Sequence, residues 1–175
     1  STGGPTCCTA SAVAIGYAFR QIKHGYIPMV VAGGVDSPLA RGPIKGFNLR
    51  RTTEQSWNAE PGRASRPFAR NRVGFVIAEG SWMFVLEDRE HAQARGAKIY
   101  AEIGGYGSTC EAFHRVRLQE RGEEPARAMQ LAIEEAGLAA EQIGYAQLHG
   151  TSTELNDRIE TRAMTMINAT GAEDA

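Results

Sequence analysis

No apolar stretch in this sequence approaches the roughly 20 residues that a bilayer-spanning helix needs. An excess of charge of one sign is missing as well. Nineteen Lys and Arg stand against 20 Asp and Glu, a net charge of −1, which argues against a nucleic-acid surface or a polybasic membrane anchor. Cysteine is scarce: three residues, two of them neighbours, cannot build a disulfide framework. The odd count fits a reducing cytosol, so a cytoplasmic location is expected. Cys7 and Cys8 are adjacent and Cys110 is isolated, so no His/Cys/Asp grouping has metal-ligand spacing, and neither a metal nor a cofactor is expected. The glycines of "AGG" and "GGYG" do not complete the Gly-x-Gly-x-x-Gly spacing of a dinucleotide site. No repeat with a period of about 20 to 50 residues is visible. Ser1 and Thr2 lead straight into a turn-rich segment, so no secretory signal is expected.

What is present reads as an ordinary globular chain. The 42% apolar and 22% charged fractions suit a soluble fold, and 175 residues suffice for one domain with a core or for parts of two. From Thr9 to Lys23 the apolar residues run nearly all round a helical wheel, which predicts a buried helix ending before Gly25. "PMVVAGG" (28–34) predicts a strand buried on both faces, as in a parallel sheet. Residues 49–72 have no period and are rich in charge, Pro and Gly, the signature of a long surface loop with a functional part to play. Strands are expected at 74–80 and 81–88, then a short helix closed by Gly96, then a strand at 97–107. "EEPARAMQLAIEEAGL" (123–138) is a clean amphipathic helix with Pro125 in its first turn and Gly137 at its end. A further strand is expected at 143–150 and a further helix at 156–168. Helix followed by buried strand points to α/β architecture, and the pattern restarts near residue 97, where a domain boundary is expected.

Three places could carry chemistry. A thiol directly ahead of a helix meets unpaired N–H groups and the positive end of the helix dipole, which favour the thiolate. Cysteine is also simply a small residue that packs well, and spacing leaves both readings open for Cys7 and Cys8. His149, in "LHGTST" at the end of an expected strand, sits where ligands gather in open α/β sheets; a structural histidine fits equally well there. Thr151, Ser152 and Thr153 offer hydroxyls. Asp157 and Glu160 lie on the opening turn of the last helix, where acids ordinarily compensate the dipole. His24 and His91 read as surface residues, and His114 lies in an irregular stretch.

Taken as a set, "CCTASAVAIG", "VVAGGVDSPL", "ASRPFARNRVGFVIAEG", "RGAKIYAEIGGYG" and "LHGTSTELNDRIET" resemble, in order and spacing, the β-ketoacyl-acyl-carrier-protein synthases, from about residue 6 to about residue 164. The resemblance implies a thiolase-like layered αβαβα fold, of which this chain would be a fragment. It would hold the end of the N-terminal half (1–97) and the start of the C-terminal half (98–175). It implies that Cys8, eight residues before Gly16, is the nucleophile, while Cys7 stands where alanine is usual. It further implies that His149 is one of two active-site histidines, and that Thr151 and Thr153 contact the pantetheine arm. Asp157 and Glu160 would be an acidic pair that helps order a lysine further along. Phe75 and Glu79 would support the site.

The activity implied is decarboxylative Claisen condensation of an acyl-Cys8 thioester with malonyl-acyl-carrier protein, in fatty-acid or polyketide elongation. The partners implied are the acyl carrier protein and a second synthase subunit, as homodimer or heterodimer. The alternative is a non-catalytic partner of the chain-length-factor kind, and Cys8 counts against it because such partners lack the nucleophile. The family's second histidine and its lysine have no counterpart in residues 1–175, so an incomplete site is expected of the fragment. Ala69 and Val73 stand where acidic residues are common, and "AFHRVRL" departs from the usual sequence around His114.

Overall fold

The computed structural model describes residues 7–114 and 117–173; the turn-rich opening and part of "AFHRVRL" lie outside them. A single 3-10 turn, Cys7–Thr9, runs into α1, Ala10–Lys23. Arg20 and Lys23 occupy the last turn of α1, and Gly25 closes it with φ +72° and its N–H bonded to the Ile22 carbonyl at 2.8 Å. Strands β1, Met29–Asp36, and β2, Gly80–Glu87, form a two-stranded antiparallel sheet in register from Met29↔Glu87 to Asp36↔Gly80. Between them lie α2, Arg41–Leu49, and a long irregular loop with one 3-10 turn at Pro61–Arg63.

After β2, Asp88 caps α3, Arg89–Ala94, by accepting the His91 N–H at 3.0 Å. Gly96 follows with φ +69°. The second half carries α4, Glu123–Ala136, closed by Gly137 at φ +67°, and α5, Glu154–Glu173.

Two small cores result. In the first, Ala18 of α1 packs on Ala32 and Leu86 of the sheet, with Ile15, Phe19, Ile22 and Val30 around them. In the second, Ala126 of α4 meets Ala163 and Ile167 of α5, flanked by Met129, Ile133 and Ala140. Alanine at the centre of both lets the backbones come close, so methyl groups rather than large side chains fill the interface.

Several expectations need correction. The strand at 28–34 is neither parallel nor buried on both faces: its partner β2 runs antiparallel, α1 covers one face, and the other presents Met29, Val31 and Val35 to solvent. An unbroken apolar run signals a tendency to be covered, not what does the covering. Nor is α1 buried all round. Only Gly16 and Ala18 are, and Tyr17 is 52% exposed.

Residues 74–79, 97–107 and 143–150 form no strand ladder among the described residues; Phe75 alone makes an isolated bridge, to Thr53. A strand needs a neighbour's N–H and C=O groups, and Tyr106 gives its own to helices instead: Glu135 of α4 accepts its N–H at 2.9 Å, and its carbonyl accepts from Arg20 of α1 at 3.4 Å. The helix α2 went unread because Gly42, Pro43 and Gly46 mask its period. Pro43 falls in its first turn, where a proline is tolerated. The last helix begins earlier and ends later than 156–168.

Candidate active site

Cys8 lies in the 3-10 turn that opens α1 and is exposed, as are Cys7 and Cys110; all three are free thiols. Cys7 has φ +53°, a left-handed conformation that a residue with a Cβ adopts only under local constraint. The close pass of β1 behind this helix depends on Gly34, where a methyl group would overlap the Ser11 side chain.

The second group of residues forms the turn before α5. Thr153 begins the helix: its Oγ1 accepts the Asn156 N–H at 3.4 Å and lies 2.9 Å from Thr151 Oγ1. Glu160, one turn further on, reaches back and accepts the backbone N–H of His149 at 2.6 Å and of Gly150 at 2.8 Å. Its Oε2 also accepts from Asn156 Nδ2 at 2.8 Å. The His149 backbone is thus pinned by a carboxylate on α5, while His149 itself is exposed.

Asp157 is 1% exposed. It accepts the Phe68 N–H at 2.8 Å and pairs with Arg72 Nε at 3.2 Å, so a carboxylate that would be costly to bury alone is neutralised by loop 49–72. Within this chain the acidic pair bonds loop 49–72 and the His149 turn.

Phe75 packs edge-on against Phe47 of α2 at 5.3 Å between ring centres, and its N–H donates to the Thr52 carbonyl at 3.0 Å. Glu79 accepts from Ser37 Oγ at 3.0 Å, joining the end of β1 to the approach to β2. His149, Thr151, Thr153, Asp157 and Glu160 therefore form one bonded cluster, and Phe75 and Glu79 belong to the loop-and-sheet region beside it. Among the described residues no hydrogen bond or ion pair ties Cys8 to the cluster. Two shallow clefts, about 370 Å³ along Arg41, Ile44, Lys45, Asn48 and Leu49, and about 390 Å³ around Trp57 and Asn71, are lined by neither Cys8 nor His149.

Reading the sequence missed Arg66 and Arg72, and took Ser152 only as one hydroxyl of its turn; the long-range contacts of these residues span 81 to 86 positions. The only signal for them was the length and charge of loop 49–72. It missed Glu135 too. That carboxylate of α4 binds Arg20 at 3.2 Å and Lys23 at 2.9 Å, both on α1. Its pKa is held below the usual range, first by Lys23 and then by the Tyr106 N–H. The tie carries α1, and with it Cys8, against the second half of the chain.

Residues 4–92 match the family model for the beta-ketoacyl synthase N-terminal domain, and residues 100–175 match that for the C-terminal domain. A 3-oxoacyl-[acyl-carrier-protein] synthase 2 of Rhizobium meliloti is 46% identical over 159 residues, covering 91% of this chain and 38% of the relative. A mitochondrial 3-oxoacyl-[acyl-carrier-protein] synthase of Arabidopsis thaliana is 43% identical over 159 residues, 91% of this chain and 34% of the relative. The chain thus spans little more than a third of the length of these relatives.

Among solved structures, a type II polyketide ketosynthase in complex with its acyl-carrier protein superposes with a TM-score of 0.90 at 34% identity, over 94% of this chain and 40% of that one. A beta-ketoacyl synthase from Burkholderia phymatum gives 0.85 at 40% identity, over 91% and 38%.

Proposed function

The chain belongs to the beta-ketoacyl synthase family, with the thiolase-like fold of its solved neighbours, and from that premise we propose that the intact protein elongates acyl chains by decarboxylative Claisen condensation. The reading rests on Cys8, an exposed thiol in the turn that opens α1, inside the segment matched by the N-terminal-domain model. In the first stage the Cys8 thiolate attacks the carbonyl of an acyl-carrier-protein thioester, the carrier thiol leaves, and an acyl-Cys8 thioester remains. In the second, malonyl-carrier protein loses CO2, and the resulting enolate attacks the acyl-Cys8 carbonyl. The Cys8 thiolate departs, and a β-ketoacyl group lengthened by two carbons stays on the carrier.

Cys8 is assigned the attack from the turn that opens α1, and no side chain is assigned as a general base beside the sulfur. Negative charge gathers on the malonyl thioester oxygen during decarboxylation, and His149 is assigned as one donor to it. The Cys8 backbone N–H is assigned to the oxyanion of the acyl-transfer step. Thr151 and Thr153 are assigned to the pantetheine arm. Asp157 and Glu160 are assigned to holding the His149 turn, and Phe75 and Glu79 to supporting the loop beside it; the hydrogen bonds of these four residues favour that reading.

The proposed partners are the acyl carrier protein and a second ketosynthase-type subunit, identical or not. A polyketide ketosynthase solved with its carrier protein and a ketosynthase solved with its chain length factor support this. A boundary between the two halves near residue 97 is consistent with the spans of the two family models. No helix of the described residues is long and apolar enough to cross a membrane. The cytoplasm is the proposed compartment, on the odd number of free cysteines.

Trapping of radiolabelled acyl groups tests the assignment. In the intact protein Cys8→Ala abolishes acyl loading, and Cys7→Ala leaves most of it. Loss of loading in Cys7→Ala with retention in Cys8→Ala transfers the nucleophile by one position. His149→Ala spares loading and impairs CO2 release from malonyl-carrier protein; equal loss of both steps removes its assigned part.

A further inference from the structure

The turn that carries His149 is strained, and what holds it comes from far away in the sequence. Gly150 and Ser152 both have left-handed backbones, φ +53° and +64°. Glycine adopts that conformation freely, but serine does so only where its surroundings hold it there. Ser152 is fully buried, and its Oγ accepts the Arg66 N–H at 3.1 Å.

Arg72 grips the next two residues. Its Nε donates to the Thr153 carbonyl at 3.0 Å, its Nη2 to the Glu154 carbonyl at 2.8 Å, and its Nη1 to the Ala69 carbonyl of its own loop at 3.0 Å. Nε also lies 3.2 Å from buried Asp157. Phe68 and Pro67 close against Gly150, 3.4 Å from where a Cβ would stand.

From these contacts we infer that Arg72 is a positioning residue for His149: by clamping residues 153 and 154 to loop 66–72 it fixes the Ser152 turn and so the direction in which the imidazole projects. Glu160 holds the turn from one side through the His149 and Gly150 N–H groups, and Arg72 from the other. Only a planar fork with donors in fixed directions meets two successive carbonyls, a third carbonyl and a carboxylate at once. Among the described residues Arg72 makes no hydrogen bond or ion pair to α1, so its effect falls on the half of the reaction that uses His149 and not on loading at Cys8. The assignment rests on the condensing activity proposed above.

The test uses the intact protein, with wild type alongside Arg72→Met, Arg72→Lys, and the double variant Arg72→Met with Asp157→Asn, which leaves no lone buried charge should the single change fail to fold. Two quantities are followed: CO2 release from malonyl-carrier protein against acyl loading of Cys8, and the NMR resonances of the selectively labelled His149 ring. A misdirected imidazole lowers CO2 release by about tenfold to a hundredfold, while loading stays within about twofold. The ring resonances shift, and lysine, which restores the charge without the fork, recovers part of the loss. Unchanged CO2 release together with unchanged ring resonances overturns the inference, as does a loading rate that falls in proportion to CO2 release. A wild-type protein that releases no CO2 sinks the proposed activity instead, and the ring resonances then still decide whether Arg72 sets His149.

Discussion

At Gly107 the backbone passes so close to α4 that a methyl group would overlap the Ala128 carbonyl oxygen, and at Gly105 it would overlap that of Ala132. Neither position has a left-handed backbone; glycine is needed there for space alone. Gly46, in α2, has nothing within 4 Å of the same imagined methyl. The two sites should respond in opposite directions. Gly107→Ala forces the segment off α4 and destabilises by about 1–3 kcal/mol, whereas Gly46→Ala gains helix propensity and stabilises by up to about 1 kcal/mol. Urea melts of both variants check this. A Gly107→Ala protein as stable as the parent would show that the segment does not lie against α4.

Between single residues and the whole chain, the junction of β2 and α3 is organised by Glu87. Its carboxylate accepts Arg95 Nε at 2.7 Å and Nη2 at 2.6 Å and lies 2.6 Å from His91 Nδ1. These bonds, the Arg95 pair foremost, lower its pKa from 4.5 to about 2. A pKa lower in the folded chain means that the charged form is the stabilising one. The contribution is therefore complete above pH 4.5 and is lost as the pH falls towards about 2. Glu87→Gln removes that dependence, so the melting temperature of the variant should fall less steeply across the window than that of the parent. Equal slopes would mean the carboxylate is unpaired in solution.

The same scale shows what the sequence could reveal. Helices α1, α3 and α4 were legible because the glycines that follow them are local signals, whereas α5 runs beyond the expected 156–168 at both ends. Whereas the choice of Cys8 over Cys7 rests on the family resemblance and is a proposal, the 149–160 turn was legible as one group of polar residues because its members lie close together in the chain. The strand pairing was not, because an apolar run carries no information about which neighbour takes its hydrogen bonds. The parts played by Arg66 and Arg72, and the burial of Ser152, were not, because their contacts join residues more than 80 positions apart.

Over the whole molecule, the two alanine-centred cores are joined by Tyr106, whose ring lies over Gly16, and by Glu135, which binds Arg20 and Lys23. Exposed ion pairs of this kind contribute little each, so the junction depends on the close backbone approach as much as on charge. The sheet is less well provided for. Helix α1 packs on one face at Val30, Ala32 and Leu86 but leaves Trp82 and Phe84 there exposed, and the other face presents Met29, Val31, Val35, Met83 and Val85, with Val31 and Val85 each 63% exposed. A two-stranded sheet has two open edges besides, and a contiguous apolar face beside open edges favours association between chains. The 175-residue chain alone should therefore sediment as a concentration-dependent mixture. Val31 and Val85 stand opposite each other in the register, so Val31→Glu with Val85→Lys places a complementary charge pair across the strands. The pair keeps the sheet register while breaking up the apolar face, and the variant should sediment as a monomer at concentrations where the parent associates. If parent and variant sediment alike, chains do not associate through this face.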